Sequence, residues 1–250
     1  MNFSVLMSIY HKEKVEYFDK AMQSVWDEQT IRPNEVVLVQ DGKLPDRLYN
    51  VINKWQDKLG SALKTIRIEE NVGLAKALNT GIYHCKYNII ARMDTDDIAM
   101  PGRFKEQLEF MKINNIDMCG TNAIVINENS LEIGVKKLPQ IITFRSLLKR
   151  CDIIHPSAMF KKDFFSKYGV YNLKFRKSQD YDLWLRAAQK GAKIMNMDKE
   201  LIKLRVTKDL VIRRKNEQKY NIMIKKKYLS GLKYFLGILP NIAIILIPTS

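Results

Sequence analysis

The sequence has few of the residues on which several large classes of protein depend. Its three cysteines, Cys85, Cys119 and Cys151, lie far apart and form no C-x-x-C pair. An odd, scattered set of cysteines argues against a disulfide framework and is typical of a reducing cytosol. Because there are only three histidines, a metal site built from several histidines is disfavoured.

Several well-known motifs are also missing. The chain contains neither G-x-G-x-x-G nor G-x-x-x-x-G-K-[ST], which disfavours a dinucleotide-binding fold and a P-loop. The nucleophile elbow G-x-S-x-G is absent as well, so a Ser–His–Asp hydrolase has little support. Met1 leads directly into the strand-like run Phe3–Ile9 with no basic region before it, and we therefore expect no secretory signal peptide and a cytoplasmic protein.

Positive charge, by contrast, is abundant. The 42 Lys and Arg residues exceed the 27 Asp and Glu residues, which gives a formal net charge of +15. Such an excess implies an anionic partner, and nucleic acid, an acidic membrane surface and phosphorylated substrates would all satisfy it. The basic residues are dense between Lys199 and Lys233, next to a C-terminal apolar stretch, which favours a negatively charged leaflet.

Strands and helices alternate regularly in residues 1–114. Hydrophobic residues make up 46% of the 250-residue chain, enough to bury a core. Near-continuous apolar strands that alternate with amphipathic helices predict an α/β fold, with a mostly parallel central sheet flanked by helices. The predicted strands are Phe3–Ile9, Glu35–Val39, Lys64–Ile68 and Asn88–Met93, and the predicted helices are Val15–Glu28, Asp46–Leu59, Leu74–Cys85 and Arg103–Asn114.

The pattern is less regular in the second half of the chain. No internal repeat or low-complexity linker interrupts it, so we predict one domain, 1–210, followed by a basic and apolar segment, 211–250. The predicted strands here are Met118–Ile126, Glu132–Lys137, Lys193–Met197 and Leu201–Val206, and the predicted helices are Ile142–Arg150, Lys162–Tyr168 and Gln179–Lys190.

Polar residues follow the ends of four predicted strands in succession. In open α/β sheets, ligands bind beyond the carboxyl ends of the strands, and these four clusters share one edge if the sheet is parallel. The clusters are Ser8-Ile9-Tyr10, Gln40-Asp41-Gly42, Asn71-Val72-Gly73 and Arg92-Met93-Asp94-Thr95-Asp96-Asp97.

The last cluster holds three carboxylates in four residues. Asp94 and Asp96 project to the same side if the backbone is extended, and Asp97 follows directly. These charges repel one another unless a cation or hydrogen-bond donors offset them, and divalent ions such as Mg²⁺ prefer oxygen ligands and substrate phosphates. The alternative is a solvated acidic turn that caps the helix near Arg103. The position of the cluster at the end of a fourth apolar strand favours the metal site.

Other candidate residues each have a structural alternative. Asp41 could bind a ribose or a base edge, although Asp-Gly is also a good turn. Asn71 and Gly73 permit close approach of the backbone, yet both residue types also end loops. Tyr10 could stack on a base or belong to the core. Asp180 follows Ser178, which resembles an N-cap, so a carboxylate favoured by the helix dipole explains it more simply than a general base.

Taken together, these segments resemble the family 2 glycosyltransferases of the GT-A fold. The resemblance covers roughly residues 3–207, and the combination of segments is far more specific than any one of them. The segments that carry it are Ser4–Tyr10, Gln23-Ser24-Val25, Gln29-Thr30, Pro33–Gly42, Asn71–Ala75, Leu78-Asn79-Thr80-Gly81, Asp94–Asp97 with Pro101 and Arg103, His155-Pro156-Ser157, and Gln179–Trp184.

The resemblance implies a role for each matching position. Residues 1–100 become the nucleotide-sugar-binding half and 101–210 the acceptor half, and Asp180 becomes the catalytic base rather than a cap. The implied nucleotide-sugar-binding residues are Tyr10, Asp41, Asn71, Gly73, Lys76, Arg92 and Asp94; the implied metal ligands for Mn²⁺ or Mg²⁺ are Asp96 and Asp97; and the implied acceptor or phosphate side consists of His155, Gln179 and Trp184.

The sequence departs from the family pattern at three positions. Gln40 stands where a second Asp often precedes Asp41, and Gln179 stands where Glu often precedes the base. Thr207 occupies the place of a His that helps many relatives to bind the metal or diphosphate, which leaves the third metal contact open. The Q-x-x-R-W signature of processive relatives is missing, which favours the transfer of a single sugar.

The C-terminal segment allows two interpretations. Its apolar run, Leu229–Pro248, is interrupted by Lys233, Pro240 and Asn241, so a full membrane span is disfavoured. An apolar patch beside a basic cluster predicts peripheral attachment to an anionic leaflet. The segment could instead pack on the domain or form a homodimer.

The leading interpretation is therefore an inverting, non-processive glycosyltransferase. The resemblance and the basic tail together predict a nucleotide-sugar donor, most simply a UDP-sugar, and a lipid-diphosphate-linked saccharide acceptor at the inner face of the cytoplasmic membrane, as in the synthesis of O-antigen or capsule repeat units. A metal-dependent nucleotidyltransferase and a basic nucleic-acid-binding protein are the alternatives. Acidic residues at the predicted ligand edge would repel a nucleic acid, and we expect no such partner.

Overall fold

The structure, a computed structural model, describes residues 1–207, 210–229 and 231–246. These residues form one ten-stranded sheet and the helices that cover it. The strands are β1 (Ser4–Ile9), β2 (Glu35–Asp41), β3 (Leu63–Ile68), β4 (Ile89–Arg92), β5 (Ile98–Ala99), β6 (Met118–Ile126), β7 (Glu132–Lys136), β8 (Ile141–Ile142), β9 (Met159–Lys161) and β10 (Ile194–Arg205).

The first seven α-helices lie close to the positions that the sequence predicts, whereas the last two belong to the segment interpreted as a basic and apolar tail. The α-helices are α1 (Val15–Trp26), α2 (Asp46–Leu59), α3 (Leu74–His84), α4 (Arg103–Asn114), α5 (Phe144–Lys149), α6 (Asp163–Tyr168), α7 (Gln179–Gln189), α8 (Leu210–Lys226) and α9 (Gly231–Leu246), and short 3₁₀ turns lie at Gly60–Ala62 and His155–Ser157.

The N-terminal strands form the parallel half of the sheet, in the order β3-β2-β1-β4. Every residue of β2 is buried, as expected for a strand that helices cover on both faces. Alternate side chains of β1 point in opposite directions, so that Val5 and Met7 pack with α1 and α2 whereas Leu6 packs with α3. The predicted fold class, a mostly parallel sheet flanked by helices, is confirmed.

The other half of the sheet mixes strand directions. Strand β9 runs antiparallel to both β4 and β6, and β6 runs parallel to β10. The prediction of two separate strands at 193–206 is wrong, because β10 is one strand with register shifts between Met197 and Ile202. Asp198 and Lys199 are exposed within this irregular stretch, and their polarity breaks the apolar pattern without ending the strand.

Helices α8 and α9 form a hairpin beside the sheet domain. Ile224 of α8 is fully buried and belongs to the same core cluster as the apolar face of α7. Lys225 is 2% exposed, and its Nζ donates to the carbonyl of Gly237 and to Oδ1 of Asn241, both at 2.8 Å. The amide of Asn241 in turn donates to Gln218 at 2.6 Å. A buried polar network therefore joins the two helices.

Among the described residues, no helix is both long enough and apolar enough to cross a membrane. The predicted apolar stretch extends to Pro248, but residue 230 and residues 247–250 lie outside the described part of the chain, as do Lys208 and Asp209.

Candidate active site

An open cavity of about 420 Å³ lies at the carboxyl ends of β1, β2 and β4. Parallel strands bring these ends to one edge of the sheet, as the sequence pattern predicts. Tyr10 is 43% exposed, so its ring lies at the surface rather than in the core. Six of the residues predicted to bind nucleotide sugar or metal line this space, which we call the acidic cavity: Tyr10, Asp41, Asn71, Gly73, Asp94 and Asp96.

Three carboxylates converge in the turn after β4. Asp94, Asp96 and Asp97 can each place one oxygen within 4.8 Å of the others. Asp97 is buried, and its burial, together with the negative charges of Asp96 and Asp94, raises its pKa well above the usual range. A divalent cation would offset this repulsion, and carboxylate oxygens are ligands that Mg²⁺ and Mn²⁺ prefer. The residues present therefore fit a divalent cation.

Arg205, at the end of β10, holds this acidic turn in place. Its backbone N–H donates to Oδ1 of Asp97 at 2.7 Å, and its Nε donates to the carbonyl of Asp96 at 2.8 Å. Its Nη1 donates to the carbonyl of Asn127, between β6 and β7, at 2.9 Å. No local pattern marks this residue, because its partner Asp97 lies 108 positions earlier in the chain.

Two buried arginines lie behind the acidic turn. Arg92, predicted to bind the nucleotide sugar, is 1% exposed and forms an ion pair with Asp94. Arg103 donates to the backbone carbonyl of Arg92 at 2.7 Å, and burial lowers the pKa of Arg103 to about 9. Arg92 therefore positions Asp94 from behind and does not line the acidic cavity itself. The two cations balance part of the negative charge of the turn.

Asp41 organises a neighbouring loop. Its carboxylate accepts the N–H of Val72 at 2.7 Å, the N–H of Gly73 at 3.0 Å and the amide of Asn71 at 3.1 Å. Gly42 has a φ of 86°, and a Cβ at this position would lie 2.7 Å from the backbone nitrogen of Asn71. Asp41, which the family resemblance assigns to the nucleotide sugar, thus also holds the 71–73 loop at the wall of the acidic cavity.

The candidate base faces a different cavity. Asp180 lines a space of about 310 Å³, here called the Asp180 cavity, together with His155 and Gln179. A bridging cavity of about 350 Å³, lined in part by Lys76, lies beside it. Leu74 lines all three cavities. The acidic turn and Asp180 consequently face adjoining spaces, although they belong to opposite halves of the chain.

The environment of Asp180 is typical of a base that works near neutral pH. Burial raises the pKa of Asp180 to about 6, the charges of Glu217 and Asp94 act in the same direction, and backbone hydrogen bonds oppose them. Ser178 occupies the N-cap position of α7 in the left-handed region, with a φ of 56°. The predicted N-cap position of Ser178 and the place of Asp180 in the first turn are confirmed, although the side chain of Ser178 makes no capping hydrogen bond within the described helix.

His155 and Trp184 are packed among other side chains, as their residues alone indicate, more closely than the family resemblance implies. Nε2 of His155 lies 2.8 Å from the hydroxyl of Tyr171, and burial, helped by the charge of Arg92, lowers the pKa of His155 to about 3. His155 is therefore neutral and lines the Asp180 cavity without a charge. Trp184 is fully buried, stacks on Phe160 at 5.6 Å and lies with its ring 6.0 Å from that of His155, so it packs next to the lining of the Asp180 cavity without lining it.

Sequence reasoning missed several residues that line these cavities. Glu13 and Tyr17 line the acidic cavity from the segment that follows β1. The rule that placed Tyr10 at the sheet edge could have included Glu13, which follows it by three positions. Glu217 and Asn221 line the Asp180 cavity from α8. They were not considered as site residues because α8 belongs to the segment interpreted as a basic tail.

Comparison with known proteins identifies the family. A model of glycosyl transferase family 2 matches residues 4–169, a stretch that contains the acidic turn and the residues of β1 to β4. The chain belongs to glycosyl transferase family 2 and is a glycosyltransferase.

Two bacterial glycosyltransferases are similar to nearly the whole chain. The chain is 34% identical to the amylovoran biosynthesis glycosyltransferase AmsE of Erwinia amylovora, over 94% of this chain and 91% of that protein. It is 31% identical to the UDP-Gal:alpha-D-GlcNAc-diphosphoundecaprenol beta-1,3-galactosyltransferase of Escherichia coli, over 99% of this chain and 92% of that protein.

Solved structures share the fold. S. aureus TarS superposes with a TM-score of 0.67 at 18% identity, covering 91% of this chain and 43% of that longer chain. A shorter form of TarS, residues 1–349, in complex with UDP-GlcNAc superposes with a TM-score of 0.67 at 17% identity, covering 98% of this chain and 72% of that one. These likenesses define the architecture as that of a GT-A glycosyltransferase.

Proposed function

We propose that the protein moves one sugar from a UDP-linked donor to a hydroxyl of a lipid-diphosphate-linked saccharide, as a step in the synthesis of a surface polysaccharide. The names of the Erwinia amylovora and Escherichia coli relatives support this substrate class. The observation that carries the proposal is that the acidic turn and Asp180 face adjoining cavities that share Leu74.

The donor would occupy the acidic cavity. The ring of Tyr10 is placed to stack on the base, and Asp41, through the loop that it holds, shapes the wall beside the nucleoside. A divalent cation, Mn²⁺ or Mg²⁺, held by Asp96 and Asp97 beside Asp94, would neutralise the diphosphate and the charge that develops on it. The ion pair between buried Arg92 and half-buried Asp94 keeps the acidic turn oriented toward this position.

The acceptor would occupy the Asp180 cavity. Asp180 takes the proton from the acceptor hydroxyl while that oxygen attacks the anomeric carbon of the donor sugar. The bond between the anomeric carbon and the diphosphate breaks in the same displacement, its electron pair leaves with UDP, and the configuration inverts. Neutral His155 and Gln179 line the same cavity and can offer hydrogen bonds to the acceptor without competing for its proton.

The C-terminal hairpin would hold the enzyme at the inner face of the cytoplasmic membrane. One face of α8 exposes Lys219, Met223 and Lys226, and α9 exposes Leu239 and Ile242. Exposed lysines beside exposed apolar side chains suit the headgroup region of an anionic leaflet.

Thermal unfolding with UDP, with and without Mn²⁺, tests the donor site. At about 100 times the dissociation constant, UDP with Mn²⁺ should raise the melting temperature by roughly 5–10 °C. Asp96→Ala should remove most of this shift, because the cation would lose a ligand. Asp57→Ala, which removes an exposed carboxylate of α2, serves as the matched control and should keep the full shift.

The products of turnover distinguish the reaction class. A glycosyltransferase releases UDP, whereas a nucleotidyltransferase releases pyrophosphate. Equal stabilisation of wild type and Asp96→Ala by UDP and Mn²⁺ would overturn the assignment of the acidic turn, and release of pyrophosphate would overturn the proposed reaction.

A further inference from the structure

The Asp180 cavity has a charged wall that takes no part in the chemical step described above. Arg176 and Lys177, in the segment before α7, line it together with Gln179. Glu217 and Asn221 line it from α8, so the C-terminal hairpin contributes directly to the cavity. Basic and acidic side chains thus meet in one space of about 310 Å³.

The two basic residues are held close to the cavity and form no ion pair with any residue that the structure describes. Phe175, which precedes them, is 4% exposed and anchors the segment in the core. Arg176 is exposed and Lys177 is half-buried. In the part of the chain that the structure describes, no carboxylate lies within ion-pair distance of either residue. Two adjacent cations without a counterion, at the wall of a substrate cavity, are suited to bind an anionic group.

Gln179 supplies an independent sign that the cavity takes a ligand. It is 6% exposed, and its Oε1 is buried without a hydrogen-bond partner among the described residues. A buried acceptor that lacks a donor destabilises the folded chain. A hydroxyl group of a bound molecule in the cavity would satisfy it.

From these observations we infer that the Asp180 cavity is a subsite for a glycosyl diphosphate. Arg176 and Lys177 bind the diphosphate of the acceptor, and Gln179, Glu217 and Asn221 bind the hydroxyl groups of its terminal sugar. The inference rests on the proposed function, because it assigns residues to the acceptor of that reaction. It also gives α8 a role in acceptor selection, in addition to any contact with the membrane.

Two acceptors that differ only in the diphosphate test the basic wall. One is GlcNAc joined through an α-diphosphate to an undecyl chain, and the other is undecyl α-GlcNAc without phosphate. The double variant Arg176→Ala, Lys177→Ala should raise KM for the diphosphate acceptor by at least about tenfold, with KM for the phosphate-free acceptor and the dissociation constant of UDP unchanged. Lys174→Ala, exposed in the same segment, should change none of these values.

The other outcomes have distinct meanings. An equal rise in KM for both acceptors, or no rise for either, overturns the diphosphate assignment. Weaker UDP binding by the double variant also overturns it, because the cations would then serve the donor.

The sugar end of the subsite is tested with Glu217→Gln and Asn221→Ala. Each variant should raise KM for both acceptors by about tenfold and leave UDP binding unchanged. Unchanged KM values would overturn the assignment of Glu217 and Asn221 to the terminal sugar. Calorimetric binding of the diphosphate acceptor in the presence of UDP gives the same comparisons without turnover. Failure of the wild type to transfer sugar from any UDP-sugar counts against the proposed function, while binding that is lost in the variants still supports the subsite.

Discussion

Asp180 is the single residue on which the proposed reaction depends most. Its carboxylate must be ionised before the acceptor binds, yet it lies in a buried setting beside Glu217 and Asp94, which favours the protonated form. Asp180→Asn removes the base and keeps the shape, so we expect kcat to fall by roughly 100- to 10,000-fold, with UDP binding retained. Sugar transfer measured beside UDP binding checks this, and full activity would remove Asp180 from the mechanism.

The same environment predicts the pH dependence. Because the base must be deprotonated and burial raises the pKa of Asp180 to about 6, kcat/KM should fall as the pH drops below that value. Glu217→Gln removes a negative charge that raises this pKa, so the acidic limb should move to lower pH. A pH–rate profile of wild type and variant measures both effects, and a limb that stays in place would show that Glu217 does not act on Asp180.

Individual residues show where sequence patterns stop being informative. The alternation of an extended backbone predicts that Asp94 and Asp96 converge, whereas Asp97 joins them in the folded chain, which bends at Thr95 and Asp96. The apolar spacing of α7 predicts that Trp184 is buried against the sheet, as it is, whereas the family resemblance implied a place on the acceptor side. The contact of Trp184 with Phe160 depends on the antiparallel strand β9, whose placement no local pattern specifies.

At the scale of structural elements, the 71–73 loop depends on the end of β2. Gly42 cannot be replaced without strain, because its φ of 86° and the 2.7 Å approach to Asn71 leave no room for a Cβ. Gly42→Ala should lower the free energy of unfolding by about 1–3 kcal/mol and weaken UDP binding. Urea unfolding and UDP titration measure the two effects.

Gly134 in β7 offers a matched control for this prediction. A Cβ at Gly134 would meet nothing within 4 Å, so Gly134→Ala should leave both stability and UDP binding nearly unchanged. Equal behaviour of the two variants would show that the turn at Gly42 does not support the loop.

Element boundaries were predictable where local signals were strong. The strands β1 to β4 and the helices α1 to α4 follow the apolar periodicity closely. Each of these elements has one or two faces buried in the core, and the buried faces determine the apolar pattern. Strand β10 was not predicted as a unit, because the polar residues Asp198 and Lys199 interrupt its apolar pattern while its pairing with β6 continues on both sides. Pairing with a neighbouring strand is a tertiary property, so it overrides the local signal there.

At the scale of the whole molecule, the net charge of +15 and the exposed face of α8 predict salt-sensitive binding to anionic vesicles. Replacing both Lys219 and Lys226 with Gln should weaken binding by about 2 kcal/mol, roughly 30-fold. Co-sedimentation with vesicles that contain phosphatidylglycerol, compared with pure phosphatidylcholine, provides the measurement.

The control for this experiment has the same change in charge elsewhere. Lys105→Gln with Lys112→Gln removes two exposed lysines from α4 and should leave vesicle binding nearly intact. An equal loss in both double variants would mean that net charge, and not the hairpin, determines attachment.

The role of α8 was the largest feature that the sequence concealed. Its lysines belong to the basic segment that the sequence pattern indicates to be a tail beyond the catalytic domain. Only the folded chain shows that Glu217 and Asn221 reach the cavity of Asp180. Contacts between residues about forty positions apart cannot be predicted from local composition. The family resemblance does not predict them either, because it ends near residue 207.

The polar network inside the hairpin also limits how this region can change in length. Lys225 donates both to Gly237 and to Asn241, which are one helical turn apart on α9. Inserting one residue between these two would rotate one relative to the other by about 100°, so Lys225 could reach only one of them and a buried group would lose its partner. Insertions and deletions between Gly237 and Asn241 should therefore be rare among natural homologues, whereas changes of length beyond residue 241 would leave both contacts with Lys225 in place.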